Sequence, residues 1–201
     1  MGEIDTAGHD TVRRCLSMYG ALRQKAVVEN RRTSMEEQIV KDLIERGWHI
    51  SFAESCTGGL AAAALVSVPD ASKVLDVSFI TYANGAKLNY LGVKQESIAD
   101  FGVVSEQVAR EMAEGVAKEA GCEVGVGITG VAGPSGGTDQ KPVGMVCFGF
   151  YLNGSCYTDT CQFGSIGRNE VRKKSVEYVY RRLGELLTKG RAAVGNLVDK
   201  L

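Results

Sequence analysis

The sequence predicts an α/β fold: a single three-layer domain whose mixed β-sheet has helices on both faces and a β-hairpin toward the C-terminus. Three observations lead there. Segments with the apolar spacing of helices alternate with short apolar runs, the pattern of strands separated by covering helices. Two of those runs end in glycine-rich segments, Ala53-Glu54-Ser55-Cys56-Thr57-Gly58-Gly59 and Thr129-Gly130-Val131-Ala132-Gly133-Pro134-Ser135-Gly136-Gly137-Thr138, which suit strand ends beside helix N-termini. Near the C-terminus, Asn153-Gly154 separates two strand-like segments and is a strong signal for a tight hairpin turn.

Taken in order, residues 1–33 are polar, basic and weakly periodic (Val12, Leu16, Tyr19, Leu22) and read as a helical or partly ordered extension. Ser34 with Glu37 three residues on forms a capping box for a helix whose apolar stripe is Ile39, Val40, Leu43 and Ile44, and which Gly47 ends. Trp48–Ala53 is a strand, and Thr57 opens a helix that packs Leu60, Ala61, Ala64 and Leu65 before Pro69. Val77–Tyr82 is a second strand, followed by short helices over Asn84–Leu91 and Lys94–Phe101. Ser105 caps an amphipathic helix through Val108, Met112, Val116 and Ala117 that closes at Gly121. Glu123–Thr129 alternates glycine with Val and Ile, a buried strand onto which another backbone closes tightly. Met145–Leu152 and Cys156–Phe163 form the hairpin, and a helix over Asn169–Leu187 presents Val171, Val176, Val179, Leu183 and Leu186. The domain thus spans 34–190, with a tail over 191–201.

Composition narrows the function. Apolar residues make up 44% and charged residues 23% of 201 positions, ordinary for a globular protein with a sizeable core. A net charge of -1 gives no general field for nucleic acid or an anionic membrane. The basic residues Arg168, Arg172, Lys173, Lys174, Arg181 and Arg182 gather near the C-terminus, either as a solvated helix face or with one arginine reaching a phosphate. Six cysteines include no CxxC, and His9 and His49 stand in no metal-ligand spacing, so no metal is expected. Without a signal peptide or a long apolar run, the expected setting is a cytoplasm with reduced thiols.

The chemistry gathers at Ser55. A hydroxyl at a strand-to-helix junction can simply cap the helix, or it can attack a carbonyl while the amides of Thr57, Gly58 and Gly59 accept the developing oxyanion. Cys56 is the rival nucleophile, expected to point into the core behind the loop. Neither histidine sits near a suitable loop, and Lys87, in Tyr82-Ala83-Asn84-Gly85-Ala86-Lys87, is the better base because burial lowers the proton affinity of a lysine. Gly130–Thr138 reads either as a surface loop or as a cradle for a phosphorylated ligand; it is neither a Walker A nor a GxGxxG motif.

Five ordered stretches carry a further signal: AESCTGG at 53–59, FITYANGAKLNYLGV at 79–93, GVVSEQVAREMAEG at 102–115, GITGVAGPSGGTDQKPVG at 127–144 and FGSIGRNEVR at 163–172. Together they resemble the CinA C-terminal domain family, the nicotinamide-nucleotide amidases, over Met35 to Leu187. The resemblance implies hydrolysis of the carboxamide of nicotinamide mononucleotide to nicotinic acid mononucleotide and ammonia, a step of pyridine-nucleotide salvage that needs no cofactor. It implies Ser55 as nucleophile, Lys87 as its base, and Tyr82 as the partner that orients one or the other. Gly130, Gly133, Ser135, Gly136 and Gly137 would wrap the nucleotide, with Thr129 and Ser135 as hydroxyl donors and Arg168 on the phosphate. Gly85 stands where that family usually has a larger, often acidic residue, and Asp139 where a proline is common. The competing expectation is a non-catalytic nucleotide-binding module, a partner in DNA-damage or competence pathways. A homo-oligomer with a small-molecule nucleotide as ligand is expected, with no nucleic acid and no membrane as partner.

Overall fold

The structure, a computed structural model, describes residues 33–198, with side chains described through Thr188. The expected extension over 1–33 lies outside the described residues but for its last position. The strands and helices that follow belong to one compact unit beginning at Met35.

The described residues form six α-helices and five strands: α1 (Met35–Arg46), β1 (Ile50–Glu54), α2 (Leu60–Val66), β2 (Phe79–Ile80), α3 (Asn84–Leu91), α4 (Gln95–Phe101), α5 (Glu106–Ala120), β3 (Val124–Gly130), β4 (Met145–Leu152), β5 (Ser155–Gln162) and α6 (Arg168–Val198). One sheet runs in the order β2-β1-β3-β4-β5. β2, β1 and β3 are parallel, with Glu54 beside Ile80 on one side and Ile128 on the other. β4 returns antiparallel to β3, and β5 to β4. The sheet is therefore mixed, with the carboxyl ends of its parallel strands on one edge.

Each face is covered for a reason written in the strand pattern. On one face Ile50, Phe52, Val124, Val126, Ile128, Val146, Phe148 and Phe150 meet Ile39 and Leu43 of α1, Leu65 of α2, and Val171, Val179 and Leu183 of α6, all buried in one cluster. Tyr180 lies fully within it and donates its hydroxyl proton to the Ala61 carbonyl at 2.6 Å, so the ring's polar end is satisfied. On the other face, glycines line the middle of the sheet. A Cβ on Gly125 would strike the Ala113 carbonyl, and one on Gly127 or Gly149 the Ala109 carbonyl. The Val-Gly alternation thus lets the backbone of α5 lie directly on β3 and β4, as a buried glycine strand should.

Local signals set most boundaries. The Ser105 Oγ accepts the Val108 amide at 3.3 Å, and Gly121 ends α5 in the left-handed region at φ 63°. Asn153 and Gly154, at φ 44° and 94°, make the two-residue turn between β4 and β5. Four boundaries move by more than one residue. β1 starts at Ile50 rather than Trp48, because Gly47 at φ 64° and a bond from the Trp48 amide to the Leu43 carbonyl complete the exit from α1. β2 shrinks to Phe79–Ile80 at the sheet edge, where Val77 and Ile80 are exposed. α2 begins at Leu60 rather than Thr57, since Gly58 and Gly59 take φ 60° and 94° and cannot continue a helix. α6 runs on past Leu187 to Val198.

Candidate active site

The turn after β1 carries Ser55. The Ser55 amide donates to the Ile128 carbonyl at 3.0 Å, tying the residue to β3, and the Gly58 amide folds back onto the Ser55 carbonyl at 3.1 Å. Lys87, one turn into α3, reaches the same place. Its Nζ is 3.1 Å from the Ser55 Oγ and donates to the Thr81 carbonyl at 2.6 Å. Lys87 is among the largest fully buried side chains of the protein. Burial holds its proton affinity below that of an ordinary lysine, which makes a neutral amine accessible beside the serine. The ammonium donates to the Ser55 oxygen; the deprotonated amine can accept the Ser55 proton instead.

Cys56 faces the opposite way, as expected. It is 5% exposed, lies in the core cluster of α1, α2 and α6, and burial pushes its thiol up to about 12. A thiol so hard to ionise is a poor nucleophile, and half-buried Ser55 carries the accessible hydroxyl of the turn. His49 sits at the other end of β1, bound to Asp76 through Nδ1 at 2.6 Å, and so serves no part of this site.

The turn's own amides are divided unexpectedly. Glu54, fully buried, accepts the Gly59 amide at 2.9 Å and the Ala61 amide at 3.2 Å on one oxygen, and the Ala62 amide at 2.9 Å on the other. This carboxylate caps α2 and fills the end of the helix dipole. Gly58 and Gly59 therefore donate inward, not to a substrate, which corrects their expected role; their contribution is the left-handed backbone of the turn. Among the described residues, the amides of Cys56 and Thr57 meet no backbone carbonyl. Thr57 itself is buried, and its hydroxyl has no hydrogen-bond partner. No motif in the sequence marks Glu54; the clue is an acidic residue six positions ahead of a helix with no N-cap side chain.

Arg168 ties the loop after β3 to the segment after β2. From the start of α6 it donates to the Gly133 carbonyl at 3.0 Å and to the Tyr82 hydroxyl at 2.9 Å. Tyr82 thus pairs with Arg168, not with Ser55 or Lys87, a correction to its expected orienting role. One turn on, Arg172 donates to the Thr57 carbonyl at 2.9 Å, so α6 also clamps the serine turn.

The loop after β3 packs on itself. A Cβ at Gly130 would crowd the Met145 carbonyl at 2.8 Å, one at Gly133 the Val143 side chain, and one at Gly137 the Val143 amide at 2.8 Å. These glycines allow close internal packing, while Ser135 and Gly136 are exposed at the tip. The Thr129 hydroxyl donates to the Val103 carbonyl at 2.9 Å, so its proton is committed and only its lone pairs remain for a ligand. Lys141 anchors the far end of the loop to the Phe101 carbonyl.

A buried lysine hydrogen-bonded to a serine at the carboxyl edge of parallel strands, with two arginines of α6 holding the turn and loop beside it, defines an α/β protein with a serine–lysine pair. Comparison with known proteins narrows the class. A model of the family described as CinA C-terminal domain matches residues 32–187. A CinA-like protein of Kosmotoga olearia is 48% identical over 145 residues, covering 72% of this chain and 35% of that relative. Among solved structures, the competence/damage inducible protein CihA of Agrobacterium tumefaciens superposes with a TM-score of 0.74 at 39% identity, over 77% of this chain and 93% of that one. A CinA superfamily protein from Klebsiella pneumoniae gives 0.74 at 35% identity, over 77% and 96%. The chain belongs to the CinA C-terminal domain family. It spans about a third of the length of the curated relative it matches.

Proposed function

We propose that this domain hydrolyses the carboxamide of nicotinamide mononucleotide, releasing ammonia and nicotinic acid mononucleotide, as a step of pyridine-nucleotide salvage. The observation that carries the reading is the 3.1 Å contact between the Lys87 Nζ and the Ser55 Oγ, with Lys87 wholly buried. Neutral Lys87 takes the Ser55 proton as the Oγ adds to the carboxamide carbon, and the amides of Cys56 and Thr57 receive the oxyanion. The lysine then returns a proton to the departing nitrogen as the C–N bond breaks, and ammonia leaves an acyl-Ser55. Water, deprotonated by the same lysine, adds to the ester, and Ser55 recovers its proton as the acid departs.

The phosphate belongs near Arg168 and the loop at Gly133, because Glu54 already occupies the end of α2 and repels a second anion there. Burying the pyridine amide at Ser55 and the phosphate at Arg168 orients the nucleotide along the line joining them. Incubation with nicotinamide mononucleotide should release ammonia, and Ser55→Ala should abolish it while keeping the wild-type circular dichroism spectrum. Ammonia release by Ser55→Ala at the wild-type rate would remove Ser55 from the chemistry. The names of the relatives, which speak of competence and damage, favour a second reading: a nucleotide-binding module without turnover. That reading predicts a rise in melting temperature with the nucleotide and no ammonia from either protein.

A further inference from the structure

We infer that the hydroxyl of Thr81 is a third partner of Lys87, a positioning group that holds the lysine once it has taken the Ser55 proton. The inference rests on the serine–lysine reading above.

Thr81 follows β2. Its amide donates to the Glu54 carbonyl at 2.8 Å, which carries the parallel ladder one residue past the Glu54–Ile80 pair and sets Thr81 beside Ser55. Lateral neighbours in a sheet point to the same face. That face is the one where Ala53 and Phe79 pack with Leu91 of α3, the helix that bears Lys87. Thr81 is 1% exposed, and its Oγ1 has no hydrogen-bond partner. A buried hydroxyl without a partner is rare enough to need a reason. Here its own residue supplies one: the Thr81 carbonyl already holds the Lys87 Nζ at 2.6 Å, so the unpartnered hydroxyl belongs to the very residue that anchors that nitrogen.

The chemistry calls for such a group. An ammonium has three protons to place, and a buried one needs an acceptor for each. Two acceptors are in position, the Thr81 carbonyl and the Ser55 Oγ. The second is lost as an acceptor when Ser55 forms its bond to carbon, at the moment the lysine becomes charged. The Thr81 hydroxyl then accepts from the ammonium and keeps it aligned for returning the proton. Thr57 carries the other unpartnered hydroxyl near the turn, but the carbonyl of that residue is held by Arg172, away from the lysine.

The test compares wild type, Ser55→Ala, Thr81→Val and Thr81→Ser. It measures the single-turnover acetylation of Ser55 by p-nitrophenyl acetate, confirmed by mass, together with ammonia release from nicotinamide mononucleotide. Thr81→Val should slow Ser55 acetylation by about tenfold to a hundredfold, the weight of a hydrogen bond to a charged group, and Thr81→Ser should stay within about threefold of wild type. The melting temperature of Thr81→Val should equal or exceed that of wild type, since an unpartnered hydroxyl is replaced by a methyl of the same shape. Thr81→Val acetylating at the wild-type rate would overturn the inference. So would Thr81→Ser as slow as Thr81→Val, or a wild type showing no Ser55-dependent acetylation. If the wild type is acetylated at Ser55 yet releases no ammonia, the substrate assignment fails, and the acetylation rates alone decide the role of Thr81.

Discussion

Lys87 trades stability for reactivity, and both sides of that exchange are measurable. Replacing it with methionine should lower ammonia release by about 10²–10⁴-fold, the usual contribution of a positioned base. The same change should raise stability by on the order of 1 kcal/mol, because a buried amine gives way to an apolar chain of similar length. The pH dependence follows from the sign of the shift. Burial lowers the affinity of folded Lys87 for its proton, whereas in the unfolded chain it is released only near pH 10.4. Between those two values the unfolded state binds more protons, so this residue makes the wild type more stable as pH rises. The gain in melting temperature of Lys87→Met over wild type should therefore shrink from pH 7 toward pH 10; a constant gain would mean that Lys87 is not the titrating group. Turnover should rise over an acid limb set below the ordinary lysine range.

At the level of elements, two features hold the site in place. The glycines of β3 and β4 let α5 rest on the sheet, and Gly127→Ala, driven into the Ala109 carbonyl and Ala113 amide, should cost about 1–3 kcal/mol in denaturant unfolding. Glu54 holds the start of α2, and Glu54→Ala removes three amide bonds from a fully buried carboxylate, a loss of about 3 kcal/mol that Glu54→Gln should partly restore. Most elements could be read in the chain because their signals are local: the Ser105 cap, the Gly121 stop, the Asn153-Gly154 turn and the Val-Gly alternation of β3. The start of α2 and the partner of Tyr82 could not. The first depends on a carboxylate that reaches forward past two left-handed glycines. The second depends on Arg168, 86 positions away. Side-chain partners at that separation leave no periodic trace.

For the whole molecule, the informative event is convergence. Ser55, Tyr82, Lys87, Gly133 and Arg168 come from four separate segments, each within a motif that resembles the family's. The fold places Lys87 on Ser55, and Arg168 on Tyr82 and Gly133, as two adjoining pairs rather than one network. We propose that the second pair reads the phosphate. Arg168→Ala should then raise KM for nicotinamide mononucleotide by about tenfold to a hundredfold, while leaving KM for the riboside, which lacks the phosphate, unchanged. Equal losses for both would assign Arg168 to the architecture of the loop instead. Among the described residues no helix is long and apolar enough to cross a membrane.

The turn at Asn153-Gly154 has a practical consequence. β4 runs antiparallel to β3, and Leu152 lies opposite Val124, so this tip projects from the edge of the sheet opposite Ser55. A Cβ at Gly154 would meet nothing within 4 Å. Its φ of 94° nonetheless reserves that position for glycine, so a fluorophore or a surface tether belongs on exposed Ser155 beside it, giving a handle through which the domain can be immobilised or watched while candidate ligands are offered at its far side.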